Sequence, residues 1–150
     1  MGGCSARNEA TDQYDRARVI LGTGTDLIDV RRIERALARF GHRFARRVLV
    51  EDEYQRFCTH AKPAHYVAKR FAAKEAFSKA MGTGISFPVN WHNVSVANER
   101  SGKPYLIFSE PLAALLAQRG IRRAHLSLSD EIEMASAFVI LEGDAPGHQA

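Results

Sequence analysis

The alanine-rich segment 65–81 constrains the fold of this chain more than any other stretch. Alanine favours helix, and at helical spacing the small and charged side chains fall on one face while most of the large aromatic ones fall on another. The segment therefore predicts one long helix. On its small face, Glu75 and Lys79 are one turn apart and follow alanines one and two turns earlier, so we expect a methyl-lined surface that a bulky ligand can approach closely.

The other segments predict an α+β domain. With 150 residues and 45% hydrophobic content, the chain is long enough for one compact domain, which at this size buries roughly 68–70% of its unfolded surface. Sequence periodicity predicts further helices at 28–40, 44–49, 51–60 and 112–120, and strands at 19–22, 94–98, 104–108, 125–129 and 135–141. Because helices and strands do not alternate regularly, we expect the helices to pack on one mainly antiparallel sheet.

The two ends of the chain predict little packed structure. Residues 1–17 have few large apolar side chains and no periodicity, so we expect a mobile leader at 1–17, a folded domain at 18–142 and a tail at 143–150. The chain has no apolar run of about 18 residues, and the leader lacks the apolar middle of a signal peptide. We therefore expect a cytoplasmic protein with no membrane partner.

A carboxylate among small residues marks a second notable segment, 22–26. Asp26 follows an apolar run and two glycines, which suits an oxygen ligand for a hard cation that keeps several waters, as Mg²⁺ does. The alternative is that Asp26 caps the helix that follows. A dinucleotide fingerprint does not fit, because the third glycine is missing and the acid comes two residues after Gly24 instead of about twenty.

Three other features each have a functional and a structural interpretation. Glu75 and Lys79 could belong to a site or form a surface ion pair worth about 0.3–0.5 kcal/mol. The backbone of 82–84 could bind phosphate or only end the preceding helix. His125 alternates with leucines, so its side chain points away from them. It could therefore reach a site or have a structural role only.

Arginines are concentrated between residues 31 and 47, where there are seven against the single acid Glu34, in a chain of net charge +4. On the predicted first helix they form a stripe opposite the apolar side chains Ile33, Leu37 and Phe40. This arginine stripe consists of Arg32, Arg35 and Arg39. It predicts either a docking surface for an acidic partner or a solvated basic face.

A small RNA-binding module is the alternative function that the arginine cluster allows, because phosphate attracts arginine whatever the base sequence. That alternative leaves Asp26 and Glu75 without a role. It also lacks an aromatic platform for stacking bases, since most phenylalanines fall at helix-core spacing. No nucleic-acid partner is therefore expected.

Together these motifs resemble the holo-acyl-carrier-protein synthase family of 4′-phosphopantetheinyl transferases. That family is characterised by a Gly-x-Asp element, here 24–26, and a Phe-x-x-Lys-Glu-Ala-x-x-Lys element, here 71–79. The likeness continues through 82–85, 101–104 and 125–129, and it covers nearly everything from residue 20 to residue 142. Several motifs in the same order are far more specific than any one of them.

The resemblance implies a reaction, a cofactor and an assembly. The family fold packs helices on antiparallel strands, and its members transfer phosphopantetheine from coenzyme A to a serine of apo acyl carrier protein, as fatty acid biosynthesis requires. Adenosine 3′,5′-bisphosphate is released. Short members are homotrimers with sites at subunit interfaces. Two departures limit the likeness: the leader has no counterpart, and Asp130 stands where many members have histidine.

The resemblance also implies roles for individual residues. Asp26 and Glu75 are expected to hold Mg²⁺ and, with Lys79, to be the catalytic residues. The phosphates and nucleotide of coenzyme A are expected to contact Lys79, Gly82, Thr83, Gly84, Arg70 and His125. The acidic carrier is expected to dock on the arginine stripe.

Electrostatics supports a cation between the two carboxylates independently of any resemblance. Two such charges 4 Å apart repel by about 4 kcal/mol at an effective dielectric constant of 20, and a bound divalent ion reverses that sign. Charge that moves onto a pyrophosphate leaving group also needs neutralisation, which a metal ion and Lys79 would supply. Either Glu75 or a metal-bound water could deprotonate the serine, and the sequence does not choose between them.

Overall fold

The first strand and the last two strands form the main sheet of the molecule. In the computed structural model, which describes residues 18–146, β1 (Arg18–Asp29) and β4 (Ile121–Asp130) flank β5 (Met134–Asp144) in an antiparallel sheet. Burial alternates most regularly along β5, where Val139 and Leu141 are fully buried and Phe138 is exposed. The sheet therefore has one face against the core and one uncovered face.

Four helices follow β1: α1 (Val30–Phe40), α2 (His42–Val48), α3 (Glu51–Thr59) and α4 (Pro63–Met81). Helix α4 packs across the inner face of the sheet, against β1 and β5. The contact with β1 is close because that strand carries glycines: a Cβ on Gly24 would lie 2.0 Å from the carbonyl oxygen of Ala76. A Cβ on Gly22 would likewise lie 2.2 Å from the carbonyl oxygen of Ala80.

A hairpin and a last helix complete the fold. Strands β2 (Val94–Asn98) and β3 (Pro104–Phe108) pair antiparallel, and α5 (Glu110–Gln118) leads from them into β4. The hairpin forms a separate two-stranded sheet rather than extending the main one. None of the helices in the described range is long and apolar enough to span a membrane.

The predicted α+β class is confirmed, and both hairpin strands have the predicted bounds. The prediction of a single sheet is wrong, because hydrogen bonding divides the five strands into sheets of three and two. Strand β5 also continues through Asp144, so the predicted start of the tail at residue 143 is two residues too early. The predicted leader lies outside the described residues.

The largest error of the sequence prediction concerns β1, which is twelve residues long and contains the whole segment 22–26. Asp26 therefore lies within a strand, and the residue that caps α1 is Asp29, whose Oδ1 accepts from the backbone N–H of Arg31. The Arg31 guanidinium also binds this carboxylate and lowers the pKa of Asp29 to about 2. The helix-cap alternative for Asp26 is thus wrong.

Two expectations about helix faces are also wrong. Ala68 and Ala72 are fully buried in the core, so the predicted methyl-lined surface is covered by protein. Phe40, predicted to share the core-facing side of α1, is 49% exposed. It is the last residue of α1, and the chain turns away at Gly41, where φ is +56°.

Candidate active site

The structure brings Asp26, Glu75 and Lys79 into one group. Asp26 comes from the middle of β1 and the other two from α4, which packs on that strand. The Lys79 ammonium donates to Asp26 Oδ1 at 3.0 Å and to the Thr25 carbonyl at 2.9 Å. Lys79 therefore pairs with the carboxylate across the helix–strand interface, so the predicted alternative of a local ion pair with Glu75 is not what the structure contains.

The environment of Glu75 disfavours its ionised form. Partial burial raises the pKa of Glu75 most, the negative charge of Asp26 raises it further, and the charge of Lys79 opposes both. Two carboxylates that repel each other, with one of them only 15% exposed, form a place where a cation is favoured. Among the described residues no group of three or more His, Cys, Asp or Glu side chains that could hold a metal ion occurs.

Beside this group lies the first cleft, an opening of about 540 Å³. Asp26 and Lys79 line one part of it, and the hydroxyl groups of β4 and β5 line another: Ser127, Ser129 and Ser136. Leu27 and Phe138 form its apolar border. The cleft thus joins the charged group to the uncovered face of the main sheet.

A second cleft of about 590 Å³ contains Arg70. Arg70 is 5% exposed, and its guanidinium lies 4.0 Å from the centroid of the Tyr66 ring and donates to Asn98 Oδ1 at 3.2 Å. Its Nε atom is buried without a hydrogen-bond partner, and within residues 18–146 no carboxylate pairs with it. A buried cation without an ion-pair partner among the described residues favours an anion in this cleft.

Other charged side chains of the second cleft are also mostly basic. Arg56 and Lys69 line it together with His60, and Asp130 is the one carboxylate among its described lining residues. The Lys69 ammonium pairs with Asp130 at 3.5 Å. Sequence reasoning missed Lys69 and Asn98, although Lys69 is the residue before Arg70 on α4.

Two other predicted ligand contacts have different surroundings. The N–H groups of Gly82 and Thr83 donate to the carbonyls of Lys79 and Ser78, so they end α4 as a helix cap and are not free to bind phosphate. Gly84 follows with φ of +62°. His125 lies on the exposed face of β4, bonds to Glu142 at 3.1 Å and lines neither cleft.

The arginine stripe is exposed along α1. None of its three residues forms an ion pair within the described part of the chain, whereas the neighbouring Arg31 pairs with both Asp29 and Glu133. Ile33 and Leu37 face the core as predicted. The stripe therefore presents three free positive charges to solvent.

Comparison with known proteins decides the family. A model of the 4′-phosphopantetheinyl transferase superfamily matches residues 22–132. The holo-[acyl-carrier-protein] synthase of Nitrosomonas europaea is 55% identical over 124 residues, which cover 83% of this chain and 99% of that relative. The chain belongs to the holo-[acyl-carrier-protein] synthase family. This membership leaves the RNA-binding alternative without support.

Solved structures of the family have the same fold. The holo-[acyl-carrier-protein] synthase of Neisseria meningitidis is 43% identical and superposes with a TM-score of 0.80, covering 82% of this chain and 98% of that one. The Bacillus anthracis synthase, determined in complex with CoA (3′,5′-ADP), is 38% identical with a TM-score of 0.70, covering 85% and 100%. The fold that the sequence motifs implied is therefore confirmed, because the structure has the fold of these family members.

The lysine of the family's Lys-Glu-Ala element lies in the core. Lys74 is 0% exposed and donates to Glu53, to the Val48 carbonyl and to the Trp91 carbonyl at 2.7–2.8 Å. Burial lowers the pKa of Lys74, and the Glu53 carboxylate opposes that effect. Glu53 also accepts from the backbone N–H groups of Val50 and Val96. Sequence reasoning missed this pair because its partners are distant in the chain.

Proposed function

We propose that this chain transfers 4′-phosphopantetheine from coenzyme A to a serine hydroxyl of apo acyl carrier protein in the cytoplasm, for fatty acid biosynthesis. The observation that carries the proposal is the convergence of Asp26, Glu75 and Lys79 in a member of the synthase family. The serine oxygen forms a bond to the β-phosphorus of the coenzyme A pyrophosphate. The bond from that phosphorus to the bridging oxygen breaks, and adenosine 3′,5′-bisphosphate leaves.

The charged group supplies what phosphoryl transfer needs. Asp26 and Glu75 would hold Mg²⁺, which when bound neutralises charge on the pyrophosphate. Lys79, two residues before the end of α4, would exchange part of its contact with Asp26 for the phosphate oxygens. The serine proton would pass either to the Glu75 carboxylate or to a water held at the same group.

We infer that the nucleotide end of coenzyme A binds in the second cleft. The buried Arg70 guanidinium has no ion-pair partner among the described residues, and the 3′-phosphate would supply one. His125 has no comparable support from its position, because its ring bonds to Glu142 outside both clefts. The loop 82–84 would contact phosphate only through the groups that the helix cap leaves free.

The arginine stripe would dock the carrier protein. Its three guanidinium groups are exposed and unpaired among the described residues, as a surface for an acidic helix requires. Charges of this kind steer association more than they add affinity. The stripe begins three residues after Asp29, where β1 passes into α1, so a docked carrier would approach the strand that holds Asp26.

We propose a homotrimer with sites at the subunit interfaces. The uncovered face of the main sheet exposes large apolar side chains, including Ile20 at 64%, Leu27 at 66% and Phe138 at 40%. Leu27 and Phe138 also border the first cleft. Another copy that covered these side chains would bury apolar surface and close the cleft at the same time.

The test is transfer by the purified protein with coenzyme A, Mg²⁺ and apo acyl carrier protein, followed by intact-mass spectrometry of the carrier. We expect the carrier to gain one phosphopantetheine group, and a carrier with its serine replaced by alanine to gain none. Asp26→Ala and Glu75→Ala should each abolish the gain while circular dichroism stays unchanged. An unmodified carrier with the wild-type protein would refute the activity, and wild-type turnover in either variant would refute the metal assignment.

A further inference from the structure

Asp130 is the one carboxylate among the described residues that line the second cleft. Every other charged side chain that lines this cleft within the described chain is basic, namely Arg56, Lys69 and Arg70. Asp130 is the last residue of β4 and its side chain is 35% exposed, so solvent reaches its carboxylate. A carboxylate in a cleft that binds an anion opposes that binding.

The carboxylate acts on the cleft in two ways. It pairs with the Lys69 ammonium at 3.5 Å, so that ammonium is partly neutralised before any ligand arrives. It also adds one negative charge to a wall whose other charges sum to three positive ones. The Arg70 guanidinium contacts the Tyr66 ring and Asn98 rather than Asp130, so it leaves the Asp130 charge unneutralised.

Weaker binding at this end does not slow the chemical step. The 3′-phosphate is distant from the reacting phosphorus and is the same in coenzyme A and in the released bisphosphate. Binding that is equally strong before and after the transfer does not accelerate the reaction, and it retains the product. A residue that lowers this binding therefore favours release of the product.

We propose that Asp130 is a specificity-determining residue that weakens the hold of the second cleft on the 3′-phosphate, so that adenosine 3′,5′-bisphosphate leaves after each transfer. The inference rests on the proposed function, since it places the nucleotide end beside Arg70. The ligand class is a nucleotide with a phosphate on the 3′-hydroxyl. A nucleotide without that phosphate is insensitive to the charge of Asp130.

The experiment compares nucleotide binding to Asp130→Asn and to the wild-type protein by isothermal titration calorimetry. Adenosine 3′,5′-bisphosphate should bind Asp130→Asn roughly 3- to 10-fold more tightly, with a steeper dependence on salt, because one repelling charge is removed. Adenosine 5′-monophosphate should bind both proteins within about 2-fold. The bisphosphate should also become a stronger product inhibitor of the transfer reaction by a similar factor.

Glu51→Gln is the matched control. Glu51 pairs with Arg46 at the same distance of 3.5 Å, is exposed and does not line the second cleft. Its replacement removes one negative charge from the whole protein but none from the second cleft. It should therefore leave bisphosphate binding unchanged. A gain in Glu51→Gln equal to that in Asp130→Asn would reduce the effect to net charge and overturn the inference.

Lys69→Met tests the pairing. It should weaken bisphosphate binding more in the Asp130→Asn background than in the wild type, since only there is the ammonium free.

Unchanged or weaker binding in Asp130→Asn would overturn the inference. Asp130→Ser provides the same charge change if the first variant folds poorly. Failure of the proposed function would be distinguishable from failure of this inference, because the wild type would then not modify the carrier. If the nucleotide end lay elsewhere, Arg70→Met would not weaken bisphosphate binding.

Discussion

Glu75, the proposed metal ligand, lowers the stability of the folded protein when its carboxylate is ionised. Its pKa is raised above 4.5 in the folded protein by burial and by Asp26, so the folded state binds the proton more tightly than the unfolded chain does. Stability therefore falls as pH rises from about 4.5 through the raised folded pKa, and stays lower above it. A carboxylate that is unfavourable without a cation is one that a cation can stabilise.

We therefore expect Glu75→Gln to unfold at a higher temperature than the wild type at pH 7 in EDTA, by about 1–3 °C. The difference should disappear below pH 4, where Glu75 is protonated in both states. Mg²⁺ should raise the unfolding temperature of the wild type and not that of the variant. Scanning calorimetry from pH 3.5 to pH 8 would measure this, and a variant less stable at pH 7 would contradict it.

By contrast, we expect Lys74 to stabilise the folded protein. Its ammonium is fully buried and uses three acceptors, one of which is the equally buried Glu53. We expect Lys74→Met to lower the free energy of unfolding by about 3–5 kcal/mol, because it leaves a buried carboxylate unpaired. Urea unfolding would measure the loss, with Lys103→Met on the exposed hairpin turn as the control. A loss below about 1 kcal/mol would show that Glu53 finds another partner.

At the scale of elements, we expect α1 to take part in docking the carrier and not in catalysis. Its core-facing residues Ile33 and Leu37 hold the helix in place, and its arginines point away from them. We expect Arg32→Glu or Arg39→Glu to raise the KM for the carrier about 10-fold or more while the affinity for coenzyme A changes little. Steady-state kinetics with each substrate varied in turn would show the split.

Arg100→Glu is the control for this prediction, because Arg100 is exposed on the hairpin turn and not on α1. The rate of association with the carrier should also fall with salt in the wild type and much less in the α1 variants. A carrier KM that neither substitution nor salt changes would remove the docking role from the stripe.

At the scale of the whole molecule, the uncovered face of the main sheet is the surface on which we propose assembly. Leu27 and Phe138 are exposed there and border the cleft that contains Asp26. We expect light scattering to give the mass of a trimer for the wild type and of a smaller species for Phe138→Asp. Transfer activity should fall with the trimer, since the cleft would lose the wall that a second copy supplies.

Ile107→Asp is the control for assembly, since Ile107 is 47% exposed on the hairpin rather than on the main sheet. It should leave both mass and activity unchanged. A Phe138→Asp protein that stays trimeric would place the interface elsewhere, and one that is monomeric with full activity would show that each chain holds a complete site.

The sequence by itself determined the α+β class, the bounds of the hairpin strands and the motifs 24–26 and 71–79 that carry the family resemblance. These features depend on local patterns: helical or alternating periodicity, turn residues, and fixed spacing within one segment. They can be inferred without knowing which segments touch.

Only the tertiary structure decided which groups pair and which surfaces are open. Lys79 pairs with Asp26 on β1 rather than with Glu75 on its own helix, and Lys74 of the same motif is buried against Glu53. The second cleft likewise combines α4 with the ends of β2 and β4. Each of these depends on how α4 packs across the sheet, and that packing is set by contacts between segments far apart in the chain, which no local pattern encodes.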